Sequence, residues 1–333
     1  MKAVVVSEPG PPEVLTLRDV PKPGVRDAWV LIRVMAFGIN RSEMFTRQGH
    51  SGAAVEFPRI LGIECVGIVE SAGAGSDLQP GGKVAAVMGG MGRAFDGSYA
   101  EYTVVPESQV MPVDTTLDWA TLAALPETFL TAWGSLVDAL GVSEGDTLFI
   151  RGGSSSVGMA ACTLAKSLGA RVIASTRTES KRSTLEANGA DHVVIDRGSI
   201  APDVRALVPE GVSHVLELVG PTTLLDSLRA AAPRGVVCNT GILGNAWTLE
   251  KFEPMEAIPS TVRLTAFKSE TVDAAGATQS LNKVVRAVED GRLRVTVDRV
   301  FKLDELVEAH RYMESNQARG KLVARLAPPD SDV

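Results

Sequence analysis

The stretch Thr147–Gly169, TLFIRGGSSSVGMAACTLAKSLG, decides the fold. It opens on an apolar run, Leu148, Phe149 and Ile150, and passes a turn of glycine and serine from Gly152 to Gly158. Val157, Ala160, Ala161, Leu164, Ala165 and Leu168 then recur at helical spacing until Gly169 ends the helix. Buried strand, tight turn and helix make the first half of a βαβ unit. Small residues belong in such a turn because a pyrophosphate can lie on backbone N–H groups at a helix N-terminus only where no side chain intervenes. The helix dipole favours its charge there. The glycine pattern is imperfect: Gly153-Ser154-Ser155-Ser156-Val157-Gly158 places Ser155 where a middle glycine is usual. A serine leaves room, and its hydroxyl can donate to a phosphate. An ordinary Gly/Ser turn gives the same letters, so the downstream chain must decide.

Downstream, short strands (Arg171–Ser175, Val193–Ile195, Val215–Leu218, Val236–Asn239) alternate with helices (Glu179–Asn188, Pro202–Val208, Thr222–Ala232). Alternation with short links predicts a parallel sheet covered on both faces, and this favours a dinucleotide site. NAD sites place an acid about twenty residues past the glycines, for the ribose hydroxyls. This chain has Ser175, Thr176 and Arg177 there, with Lys181 a turn later. Hydroxyls and a guanidinium suit a 2′-phosphate, and cations at a helix start oppose its dipole unless something else holds them. The cofactor expected is NADPH.

At 333 residues the chain has room for two domains. A net charge of −7 argues against nucleic acid or an anionic membrane as the main partner. Lys2–Ser7 reads as a strand, so no signal segment is expected, and no apolar run is long enough to span a bilayer. Cys65, Cys162 and Cys238 lie far apart in apolar stretches and read as buried small hydrophobes in a reducing cytoplasm.

Residues 1–120 are strand-rich and punctuated by Pro and Gly, which predicts a barrel-like β domain. Leu117–Leu140 is apolar and helical in spacing, interrupted at Pro126, and links that domain to the glycine-rich turn. Thr240-Gly241-Ile242-Leu243-Gly244 follows the fifth strand, where open α/β sheets bind ligands. Arg263–Phe267 reads as an edge strand, which makes a homodimer plausible. Leu281–Glu289 (helix), Val295–Val300 (strand), Asp304–Asn316 (helix) and Lys321–Leu326 (strand) return to the first domain, and residues from Pro328 on read as a frayed tail. The expected domains are 1–122 completed by 268–333, and 123–267.

Several phrases together resemble the zinc-independent quinone oxidoreductase branch of the medium-chain dehydrogenase/reductase superfamily. They are Gly38-Ile39-Asn40-Arg41-Ser42-Glu43, Leu61-Gly62-Ile63-Glu64, Ala124-Leu125-Pro126-Glu127-Thr128, Arg151-Gly152-Gly153 with Ser155–Gly158, the Thr240–Gly244 loop, and Gly320-Lys321. The resemblance implies an α/β fold made of a GroES-like β-rich domain plus a Rossmann doubly wound parallel-sheet domain. Where zinc-dependent relatives carry metal ligands, this sequence has Asn40, Ile63 and Glu127. One carboxylate cannot hold Zn²⁺, and no other Cys/His cluster exists among four His and three Cys.

Without a metal, hydride goes most readily to an acceptor activated by its own conjugation, a quinone or an enone. The resemblance places Asn40 near nicotinamide and substrate, where its amide would donate to a carbonyl oxygen; a plain turn former is the alternative. It makes Arg47 a candidate to steady an anionic product, against a merely solvated arginine. Thr131 would reach the nicotinamide carboxamide, Gly241 and Leu243 would let backbone approach the ring, and Lys321 would lie near the cofactor or simply in solvent. Glu127 reads either as a second polar group or as a first-turn acid. Phe45 stands where some relatives have a Tyr, so it cannot donate a proton. Asp196 stands where a phosphate-contacting Tyr is expected, which weakens NADPH if the acid points inward. The function expected is quinone reduction. The alternatives are reduction of enones or enoyl thioesters, and a non-catalytic NADPH-binding structural or sensing protein.

Overall fold

In the computed structural model, which describes residues 1–271 and 274–326, the alternation that starts at Thr147 becomes a six-stranded sheet. Its spatial order is His192–Ile195, Arg171–Thr176, Thr147–Arg151, Val212–Glu217, Ala231–Asn239, Arg263–Ala266, and every neighbouring pair is parallel. The first strand in sequence is central and order reverses beside it, the doubly wound arrangement that binds ligands at the strands' carboxyl ends. Phe149, Ile173, Val215 and Val237 form its core with Val204 and Leu228 from the flanking helices. Near-continuous apolar runs suit strands covered on both faces.

The chain divides into two compact units. One holds residues 128–271 and 290–294. The other holds residues 1–127 with 274–289 and 295–326 of the described C-terminal part. The divisions expected from sequence are 122/123 and 267/268; these units divide at 127/128 and 271/272. Residues 290–294 joining the nucleotide unit was not foreseen. The linking stretch, expected to be helical with an interruption at Pro126, is three pieces: helices Trp119–Ala123 and Pro126–Trp133 and a π-helical run Gly134–Leu140. A Cβ on Gly134 would lie 2.0 Å from the Phe267 ring, so that ring is packed against the π-helical run.

The β-rich unit contains a seven-stranded sheet and a three-stranded sheet. Its longest strand, Trp29–Ile39, pairs antiparallel with Glu64–Ala72, Tyr102–Pro106 and the C-terminal strand Lys321–Arg325. Ile32, Val34, Phe37, Leu61, Tyr99, Leu322 and Ala324 fill its core. A helix absent from the sequence reading, Arg41–Arg47, follows that strand directly. The final helix is Leu306–Glu314, and the helix expected over Leu281–Glu289 spans Ala274–Glu289. The three cysteines are buried and free. Among the described residues no helix is long and apolar enough to cross a membrane. The expected tail from Pro328 lies outside the described residues.

Candidate active site

In the nucleotide unit the helix Ser156–Ser167 starts tight against the turn. A Cβ on Gly158 would lie 2.5 Å from the carbonyl oxygens of both Gly152 and Gly153, so glycine is required there. A Cβ on Gly153 would meet Ala174 Cβ at 2.9 Å. Ser155 is the N-cap: its hydroxyl accepts from Gly158 N at 3.1 Å and donates to Gly152 O at 2.8 Å. This corrects the expectation of a phosphate donor, because the hydroxyl is committed to the turn. The first-turn N–H groups of Ser156 and Val157 have no helical acceptor. They, with the dipole, are what an anion would meet. Ser154, Ser156 and Val157 are half-buried around them.

At the neighbouring strand end, Ser175 and Thr176 are buried, Arg177 is exposed and Lys181 is half-buried. Ser175 Oγ accepts from Gly152 N at 3.1 Å, tying this edge to the turn. Asp196, the acid that threatened NADPH, is paired: Arg151 Nε donates to its Oδ2 at 2.8 Å and Nη2 to its Oδ1 at 3.0 Å. Across the sheet, Thr240 Oγ1 lies 2.9 Å from Ser135 Oγ, which donates to the Thr131 carbonyl at 2.7 Å. These three residues form one group. The half-buried Ile242 and Leu243 follow, with Leu243 N donating to Leu218 O at 3.1 Å. A Cβ on Gly241 would lie 2.1 Å from Leu218 O, so packing on Leu218 already demands glycine there, before any approach to a ring is considered. Beside Thr240 in sequence, Asn239 Oδ1 is buried without a hydrogen-bond partner. An orphaned acceptor at a strand's carboxyl end, with free N–H groups at a helix start, fits a dinucleotide, whose nicotinamide amide offers donors and whose pyrophosphate needs them.

The β-rich unit holds a buried polar cluster built by register. Leu322 pairs with Ile39 and Val323 with Gly38, which brings Lys321 to Asn40. Lys321 Nζ donates to Asn40 Oδ1 at 2.5 Å and to Glu64 Oε1 at 2.8 Å. Asn40 Nδ2 donates to Glu64 Oε1 at 2.8 Å and to Glu43 Oε1 at 3.3 Å. Glu43 also accepts from the backbone of Asn40 at 2.9 Å and of Ile63 at 3.1 Å, while Glu127 N donates to Glu64 Oε2 at 2.9 Å. Glu43, Glu64 and Lys321 are all buried. A Cβ on Gly38 would lie 2.2 Å from Glu64 Oε1 and 2.5 Å from Lys321 Cε, so glycine makes room for the pair. Burial pushes the Glu43 carboxyl up to about 7, and the nearby Glu64 charge adds to this; hydrogen bonds from Ile63 and from its own backbone, and Lys321, oppose it without winning.

This geometry revises three roles. Asn40 does not offer its amide outward: with an ammonium on one side and carboxylates on the other, only one orientation of the amide satisfies its neighbours, and both Nδ2 hydrogens point at acids. Lys321 lies neither in solvent nor in the nucleotide unit; it is the cluster's cation. Arg47 is fully buried, donates to Gly10 O at 2.6 Å and is ion-paired with Glu314, which withdraws it from any anionic product. Phe45 packs against the unit's apolar core. Glu43, Glu64, Arg151 and Asn239 were given no role from sequence. The Asn40–Glu43 spacing, that of an N-cap and its N3 acid, was the one local signal for the cluster.

Two family descriptions match: "Alcohol dehydrogenase GroES-like domain" over residues 26–115 and "Zinc-binding dehydrogenase" over residues 188–323. The residues here do not fit zinc. Asn40 and Ile63 offer no anionic or imidazole donor, the Glu64 carboxylate is engaged by Lys321, and among the described residues no group of three His, Cys, Asp or Glu could hold a metal. The quinone oxidoreductase of Homo sapiens is 28% identical over 98% of both chains. A mycobacterial protein, Rv1454c, solved in complex with NADPH, is 27% identical with a TM-score of 0.86, covering 98% of this chain and 99% of that one. Squalestatin tetraketide synthase of a Phoma species is 28% identical over 92% of this chain, which corresponds to 12% of that protein. The chain is an oxidoreductase that binds a nicotinamide cofactor, and it belongs to the quinone oxidoreductase-like family of medium-chain dehydrogenases/reductases.

Proposed function

We propose that the chain is an NADPH-dependent, zinc-independent reductase of quinones. The observation that carries this reading is the Asn40 cluster. Its amide, carboxylates and ammonium bond one another, and none is a Lewis acid able to polarise an unactivated carbonyl. Such a protein suits an acceptor whose conjugation already makes it electrophilic. Bound NADPH supplies the hydride. The chain's own residues hold and orient: the Gly152–Gly158 turn offers backbone N–H groups to the pyrophosphate, and Arg177 and Lys181 suit a 2′-phosphate. Thr131, Ser135, Thr240 and Asn239 form the polar group for the nicotinamide amide. Phe45 has no proton to give, so the reduced product takes its proton from water or another group.

The match to a polyketide synthase favours a second reading, in which the same hydride step reduces a C=C bond of an enone or enoyl thioester. Steady-state NADPH oxidation against 1,4-naphthoquinone, 2-alkenals and saturated aldehydes decides between them. The quinone should exceed the saturated aldehydes by at least about a hundredfold, because the latter need a polarising group. 1,10-Phenanthroline should leave the rate unchanged. Faster turnover of 2-alkenals selects the second reading, and chelator-sensitive turnover of saturated aldehydes overturns both.

A further inference from the structure

We propose that Arg151 sets the choice between the two nicotinamide dinucleotides: by holding Asp196 in a two-pronged ion pair, it keeps a carboxylate away from the phosphate that distinguishes NADPH. The inference rests on the NADPH reading above and gives it a positioning residue.

Asp196 hangs on the strand edge read as the ribose site. Ile195 pairs with Thr176, and Asp196 N donates to Thr176 O at 2.8 Å. A free carboxylate there stands one strand away from Ser175, Thr176 and Arg177, where it would accept ribose hydroxyls and repel a 2′-phosphate. In this chain it is withdrawn. Arg151, the last residue of the central strand, is fully buried, and the Asp196 side chain is 9% exposed. Both carboxylate oxygens take a guanidinium N–H, and Oδ1 also accepts from Gly198 N at 2.9 Å.

The guanidinium is itself fixed on its other side. Nη1 donates to Asp226 Oδ2 at 2.8 Å, Thr223 O at 3.1 Å and Ser227 Oγ at 3.2 Å, and Nη2 to Gly198 O at 2.9 Å. These acceptors engage all five donors of the fork, so Arg151 has none left for a phosphate. Its effect on the cofactor runs through Asp196. A lysine, with one point charge, cannot reproduce the planar two-pronged grip.

The test measures Kd for NADPH and for NADH by titration without turnover, in the full chain and three variants. The wild type should prefer NADPH. Asp196→Asn should leave the NADPH:NADH preference within about twofold, because the carboxylate it replaces is already held on the guanidinium and turned from the phosphate. Arg151→Met should lower the preference about tenfold, mainly through weaker NADPH binding, and adding Asp196→Asn to it should restore most of that loss. An Arg151→Met chain that loses both dinucleotides equally makes Arg151 merely structural and overturns the inference. So does an Asp196→Asn chain that binds NADPH about tenfold tighter, since the carboxylate would then already face the phosphate; this arm decides even where Arg151→Met fails to fold. A wild-type preference for NADH removes the cofactor reading and the inference together, whereas failure of the inference alone leaves the wild-type preference for NADPH in place.

Discussion

Arg151 in the nucleotide unit and Lys321 in the β-rich unit are both buried cations facing two or more acids, and the two clusters are built differently. Arg151 presents a planar fork, and its acids, Asp196 and Asp226, each hold a short bond to it. Lys321 presents a single ammonium. It reaches Glu64 and the Asn40 amide, while Glu43 is reached only by amide N–H groups. A fork can hydrogen-bond two carboxylates held in different directions, whereas the single ammonium here bonds only one of its two acids. The first cluster is therefore a fixed frame, and the second contains a group that changes charge near neutral pH.

Lys321→Met should have the largest effect, because it abandons Glu64 in a dry site. A loss of about 3–5 kcal/mol is expected from urea midpoints. Adding Glu64→Gln should recover most of it, and a loss that persists in the double variant would mean that the ammonium matters through packing alone. The next effect is pH-dependent. Folding raises the Glu43 value from 4.5 to about 7, so the folded chain keeps a proton that the unfolded chain releases. The stability this contributes is complete below about pH 4.5 and disappears as pH rises through 7, amounting to about 3 kcal/mol. Urea melts at pH 5 and pH 8 should show this fall in the wild type relative to Glu43→Gln; identical pH profiles would leave the contrast between the two clusters without support. The smallest effect is expected at the turn. Ser155→Ala removes an N-cap and should cost about 1 kcal/mol, with dinucleotide Kd changing little because the hydroxyl faces the turn. A large loss of NADPH affinity would return Ser155 to the phosphate.

The fold was legible wherever one element explained itself. Strand, turn and helix at Thr147–Gly169 are written in adjacent residues, and apolar runs marked the other strands of the nucleotide sheet. The short helix Arg41–Arg47 was missed because it is only seven residues long and carries no extended apolar stripe. Asn40 was legible as an unusual residue, but its direction was not. That depends on Glu64 and Lys321, distant in sequence and brought together only by strand register. Arg151 was hidden for the same reason: its position in the chain says nothing of Asp226, which arrives on a separate helix. Arg47 reads as a surface charge in any local window and is buried because Glu314 meets it from far along the chain.

The ammonium of Lys321 follows Glu64 by 257 residues. A ribosome adding about 5–20 residues per second makes the acid roughly 10–50 s before its counter-ion. During that interval the nascent β-rich segment cannot close over Glu64 without sealing in an unmatched negative charge. The segment around Glu64 emerges well before Lys321 and is thus among the last to settle. Chaperone occupancy should be longest on the β-rich segment around Glu64 and should end only once the Lys321–Arg325 strand is free to pair with Trp29–Ile39.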